Sequence, residues 1–140
     1  MYNKGADIIG TYSGACNLGV FNAAKDAGEG TYCLGAANGQ FDKMPDKILA
    51  SVVKPADQAI LSILKEYQET GVFDTSIPMS LGLKEGGVKL LFTNNEELLK
   101  LIPDDVKSAI DDLTAKVESG EIKVPSNEEE FNSFTYQYAK

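Results

Sequence analysis

The sequence predicts an α/β fold, a parallel sheet with helices packed on it, and three observations carry that expectation. Short β-branched or apolar runs alternate with stretches of helical spacing, in the order strand, helix, strand, strand, helix, which favours parallel strands joined by right-handed crossovers. The stretch Lys47 to Tyr67 changes period halfway, with Ile48, Leu49, Val52 and Val53 before a lone charge, Lys54, and a helical pattern after it. A turn of small residues, Ser13 to Asn17, follows the first strand and leads into the first helix.

Asp7 to Tyr12 reads as the first strand. Asn17 is placed to cap the helix that follows, with Val20, Phe21, Ala24 and Ala27 as its apolar stripe and Gly28 as its stop. Thr31 to Ala37 reads as the second strand and Asn38-Gly39 as a turn, so that its carboxyl end lies beside the small-residue turn. Pro55 suits the first position of the helix after Lys54, whose stripe is Ala56, Ala59, Ile60, Ile63, Leu64 and Tyr67. Met79 to Phe92, interrupted by Lys84-Glu85-Gly86-Gly87, fits a strand pair or a broken strand. Thr93 to Lys100 reads as a short helical turn. The clearest helix opens at Pro103, presents Val106, Ala109, Ile110, Leu113 and Val117, and stops at Gly120. Ile122 to Val124, closed by Pro125, is long enough only for an edge strand. Residues 1–125 thus form an α/β unit with a carboxyl-terminal helix. Residues 126–140 form an acidic and aromatic tail that begins as a capped helix at Ser126-Asn127.

A chain of 140 residues suffices for one domain with its own core. Its 13 Lys plus Arg against 21 Asp plus Glu leave a net charge of −8, which repels a phosphate backbone and argues against nucleic acid as a partner. There is no histidine, which removes the common nucleophile-base triads and, with only Cys16 and Cys33 as thiols, argues against a metal site. Adjacent acids such as Asp104-Asp105 and Asp111-Asp112 point different ways on a helix and do not make a catalytic pair. No cofactor is implied, and the spacing around Ser13 to Asn17 matches no nucleotide-phosphate loop. Reversible binding without covalent chemistry is therefore the expectation, with an enzyme unsupported. In open α/β sheets ligands sit beyond the carboxyl ends of the strands, so Lys54 and the small-residue turn from Ser13 to Asn17 are the candidate contacts; the plain structural alternatives are a solvated loop lysine and a turn small for packing.

Three stretches together resemble one family, the basic membrane protein (BMP) family of ABC-transporter substrate-binding lipoproteins, which includes purine nucleoside receptors. They are GADIIGTYSGACNLGVFNAAKDAG, PDKILASVVKPADQAI, and SLGLKEGGVKLL leading to IPDDVKSAIDDLTAKVESGEIKVP. The resemblance runs from about Gly5 to Pro125 and corresponds to the carboxyl-terminal part of such a protein. It implies a lobe of a type I periplasmic-binding-protein-like fold, in which two α/β lobes close on a nucleoside or a similar small polar metabolite. It also implies an ABC permease as partner and an extracytoplasmic, membrane-anchored lipoprotein. The opening MYNKGADIIG carries no export signal or lipobox, which fits either a cytoplasmic protein or a chain whose first part was removed. By the resemblance Lys54 would bond ribose hydroxyls, and Gly14 and Ala15 would lie against the ligand. The family's acidic GVDSDQ-like strand end is replaced, with Ala37 standing where a carboxylate is expected, so that either Asn38 substitutes for it or the ligand differs. Loss of such a charged hydrogen bond is worth about 2 kcal/mol. The alternative is a stand-alone structural or interaction protein that kept this lobe and lost ligand binding. A homodimer is one way to bury the surfaces left by the absent lobe.

Overall fold

Ile8–Gly10 (β1), Tyr32–Ala37 (β2), Ile48–Val53 (β3) and Lys89–Phe92 (β4) pair in sequence order into one sheet. The structure, a computed structural model, describes residues 1–73 and 80–134. The helices are Asn17–Ala27 (α1), Ala56–Thr70 (α2), Glu96–Leu99 (α3), Asp104–Ser119 (α4) and Glu128–Ser133 (α5). β1, β2 and β3 run parallel as expected, whereas β4 lies antiparallel to β3. The register explains the reversal: Lys89 opens β4 opposite Val53, at the end where β3 finishes, so the chain enters from that end and runs back.

Side chains alternate across a strand, and the core divides accordingly. Cys33 and Ile48 join Phe21 and Ala24 of α1 in one cluster, with Phe41 and Met44 from the β2–β3 connection packed against it. Their chain neighbours Tyr32, Leu34 and Leu49 join Leu98 and Ile102 in a second cluster on the other face. The pairing of β2 with β3 slips by one residue, from Cys33 opposite Ile48 to Leu34 opposite Ala50, so Leu49 is the extra residue of a bulge. The connection through residues 38–47 contains no helix. It is held instead by packing and by Lys47, whose ammonium donates to Gly28 O and to Thr31 O, the latter at 3.1 Å.

Several local expectations change. Asn17 does not cap α1 but is its first residue, with Cys16 at the cap position making no side-chain bond there. Pro55 stands one place earlier than expected, at the cap of α2. Of the anticipated strand pair only β4 forms among the described residues; Leu83 to Gly86 is a turn, and Met79 lies outside them. Ile122 to Val124 is not a strand. Gly120 takes a left-handed φ of 80° and turns the chain back, so that Ile122 N donates to Lys116 O at 3.0 Å and its side chain is buried. The tail does begin a capped helix: Asn127 Oδ1 accepts from Glu130 N at 2.9 Å, and Glu130 reaches back to Ser126 N at 2.8 Å. Those bonds from Ser126, with Lys123 alongside, pull the Glu130 carboxyl down to about 2. Tyr136 and Tyr138 of the anticipated aromatic tail lie outside the described residues.

Candidate functional site

Three strand ends and one helix start converge on a concave pocket of about 410 Å³, a size suited to a small metabolite. Tyr12 comes from the exit of β1, Ala36 and Ala37 from the end of β2, and Lys54 from the first position after β3. Gly14, Ala15 and Asn17 contribute the tight turn and the start of α1. Of the four residues singled out in the sequence, Lys54, Gly14 and Ala15 are thus brought together on one pocket. Asn38 is exposed in the turn after β2 and is not among the lining residues.

The backbone geometry follows from a turn folded tightly over the sheet. Gly39 N donates to Ala36 O at 3.3 Å, and the buried Ser51 hydroxyl donates to Gly39 O. A Cβ on Gly35 would sit 2.6 Å from that same Gly39 oxygen, so only glycine lets the turn lie this close. The turn places two non-glycine residues in the left-handed region, Ala37 at φ 62° and Gln40 at φ 57°. Such a conformation suits Asn, Asp or Gly better than alanine, and its presence beside a pocket marks a constrained loop. Lys54 is held at the strand end by its own amide, which donates to Ala37 O at 2.8 Å and extends the β2–β3 ladder by one bond.

Beneath the pocket lies an amide network whose members are Asn17 and Gln40. Asn17 is buried, and its Oδ1 accepts from Ser13 N at 3.0 Å while its Nδ2 donates to Gln40 Oε1 at 3.1 Å. Gln40 Oε1 also accepts from Ala36 N at 3.0 Å. Two short loops from different strands are therefore tied into one rigid wall, and no buried side-chain polar atom among the described residues lacks a partner. The sequence did carry a signal for this. Asn17, Phe21 and Ala24 follow the i, i+4, i+7 spacing of one helix face, so an amide in a buried stripe required a partner.

Lys43 also lines the pocket, its ammonium bonded to Asp42 Oδ2 at 2.7 Å. That bond holds the Asp42 carboxyl below the usual carboxylate range. Cys33 is remote from this site and buried, and burial pushes its thiol up to about 11, with Lys47 opposing. No group of three His, Cys, Asp or Glu residues that would hold a metal occurs among the described residues. A larger depression of about 620 Å³ has Glu128, Glu129, Asn132 and Ser133 of the single short helix α5 as its described lining, without the convergence of elements seen at Lys54.

Comparison with known proteins bears on the family and the fold. The family model described as ABC transporter substrate-binding protein PnrA-like (Bmp) matches residues 1–128. Basic membrane protein D of Borreliella burgdorferi is 34% identical over 137 residues, covering 98% of this chain and 39% of that protein. Basic membrane protein B of the same species is 33% identical over 141 residues, covering 100% and 38%. The chain thus spans about two fifths of the length of these relatives. Among solved structures, an ABC-transporter solute-binding protein from Aeropyrum pernix superposes with a TM-score of 0.71 at 26% identity, over 95% of this chain and 44% of that one. A transcriptional activator of the comK gene from Bacillus halodurans shares the fold, with a TM-score of 0.69 at 22% identity, over 86% of this chain and 40% of that one.

Proposed function

The chain belongs to the Bmp family of PnrA-like ABC-transporter substrate-binding proteins, and from that premise we propose that it binds a small solute for an ABC importer. The solute is a nucleoside or a similar small polar metabolite, held reversibly and without covalent chemistry. Its partner is the importer's permease, and its setting is extracytoplasmic, at a membrane through a lipid anchor. No helix among the described residues is long and apolar enough to cross a membrane. The observation that carries the reading is the convergence of Lys54, Gly14 and Ala15 on one pocket at the carboxyl ends of parallel strands. There an ammonium donor, a close-approach turn and a wall braced by buried amides surround the same space, which suits capture of a hydroxyl-bearing molecule.

A thermal-shift panel of nucleosides and nucleobases tests it. A solute at a hundred times its Kd stabilises the folded chain by about 2.7 kcal/mol, a rise of several degrees in Tm. Lys54→Met is expected to weaken that solute about tenfold or more while leaving the ligand-free Tm in place. A second reading, a structural or interaction protein without a solute, draws on the exposed apolar residues of α2, Ile60, Leu61 and Leu64. It predicts no shift with any solute together with a stable dimer in solution.

A further inference from the structure

We propose that the free edge of β1 and the outer apolar face of α2 dock an α/β segment of this protein family, the part of its relatives that this chain does not span. In that assembly a strand continues the sheet past β1 and a helix lies over Ile60, Leu64 and Tyr67. The inference rests on membership of the family and is independent of which solute is bound. More than half of Basic membrane protein D, and of the Aeropyrum pernix solute-binding protein, lies outside the match. Those proteins thus carry enough further chain to supply both elements.

Among the described residues β1 pairs only with β2, so its other side presents unpaired backbone groups. Its sequence is nevertheless that of an interior strand. Ile8 and Ile9 point to opposite faces, and apolar side chains on both faces belong to a strand covered on both sides, yet Ile8 keeps 46% of its surface. β4, at the opposite edge, opens with Lys89, the residue type that blunts a true edge. The same mismatch recurs on α2. Ala59 and Ile63 are half-buried, while Ile60, Leu61, Leu64 and Tyr67 keep between 43% and 58% of their surface. An apolar arc this wide suits a helix lying between two surfaces, and the four exposed side chains present on the order of 400 Å² of apolar area, the size that marks an interaction site. Charge argues against a second copy as the occupant. α2 carries Asp57, Glu66 and Glu69 against Lys65, so a two-fold contact would set an acidic helix against itself, on chains of net charge −8 each. A sheet edge together with a helix face calls instead for a partner with a strand and a helix of its own, which an α/β segment offers.

Comparison of this chain with whole Basic membrane protein D tests the proposal. In this chain alone, Ile60→Glu/Leu64→Glu is expected to leave Tm within about 1 °C, since the face is open to water. In the whole relative, glutamate at the two aligned positions is expected to lower the urea midpoint clearly, because there the face is covered. Measured against the amides aligned with α1 in each protein, those aligned with β1 and α2 should exchange hydrogen about tenfold or more slowly in the relative than here. Co-expressed with the unmatched part of that relative as a second polypeptide, this chain is expected to co-sediment one to one, and its double glutamate variant to sediment alone. Equal relative exchange in the two proteins, or a relative that tolerates both glutamates, overturns the proposal. So does a concentration-dependent Tm of this chain alone that the two glutamates abolish, which makes a second copy the occupant. None of these outcomes bears on the solute, which the thermal-shift panel tests separately.

Discussion

Helices α1 and α2 are both entered from the carboxyl end of a strand, yet they end in opposite circumstances. α1, with 11 residues, buries Asn17, Phe21 and Ala24; α2, with 15 residues and the more regular apolar stripe, buries none. Ile60 and Leu64 of that stripe keep 58% and 57% of their surface, and only Ala59 and Ile63 are half-buried. The difference lies in what ties each helix to the sheet. Thr31 Oγ1 donates to Ala24 O at 2.8 Å and to Gly28 O at 2.7 Å, fastening the end of α1 to the start of β2, while Asn17 fastens its beginning through Gln40. Among the described residues, side-chain bonds on α2 stay within it or its end, from Ser62 to Gln58 O and from Thr70 to Glu66 O. Periodicity establishes that a helix has an apolar face, and burial requires a second surface that the pattern does not specify.

Three substitutions sharpen or break this contrast. Phe21→Ala removes the largest fully buried side chain and is expected to cost about 3–5 kcal/mol, read as a lower urea midpoint at unchanged slope. Asn17→Ala deprives Ser13 N and Gln40 of their shared partner, for an expected loss of about 1–3 kcal/mol. The same variant should weaken solute binding, because the wall of the pocket loses its brace, and Asn17→Asp should restore part of the bond from Ser13 N. Leu64→Gln is expected to change stability by no more than about 0.5 kcal/mol, as at any exposed position. A cost at Leu64 approaching that at Phe21, together with a concentration-dependent Tm, would show that α2 is covered in solution by another copy of the chain.

Much of the fold was legible because it depends on near neighbours. The β3–Lys54–α2 unit appears where the period changes from that of a strand to that of a helix. Gly28, Gly71 and Gly120 each follow a helix, as a residue free to turn the backbone should. The approach of Lys54 to the turn at Gly14 and Ala15 was legible too, since parallel strands bring their carboxyl ends to one edge. Other features were not. Asn17 looked like a cap because asparagine before a helix usually is one, and only the fold brings Gln40 within 3.1 Å of it. Lys43 sits in a polar stretch with nothing local to distinguish it from a solvated lysine. Ile122 has strand-like neighbours, yet the chain's reversal at Gly120 lays it against α4.

By itself the amino-acid order determined the kinds of elements, most of their ends and the lone cation after β3, because propensity, capping and period act over a few residues. Tertiary structure decided the direction of β4, which apolar stripe is covered, and which polar groups from separate loops share one pocket. Those outcomes depend on contacts between residues far apart in the chain, where pairing register, a one-residue bulge and mutual burial set the geometry and no local pattern records it.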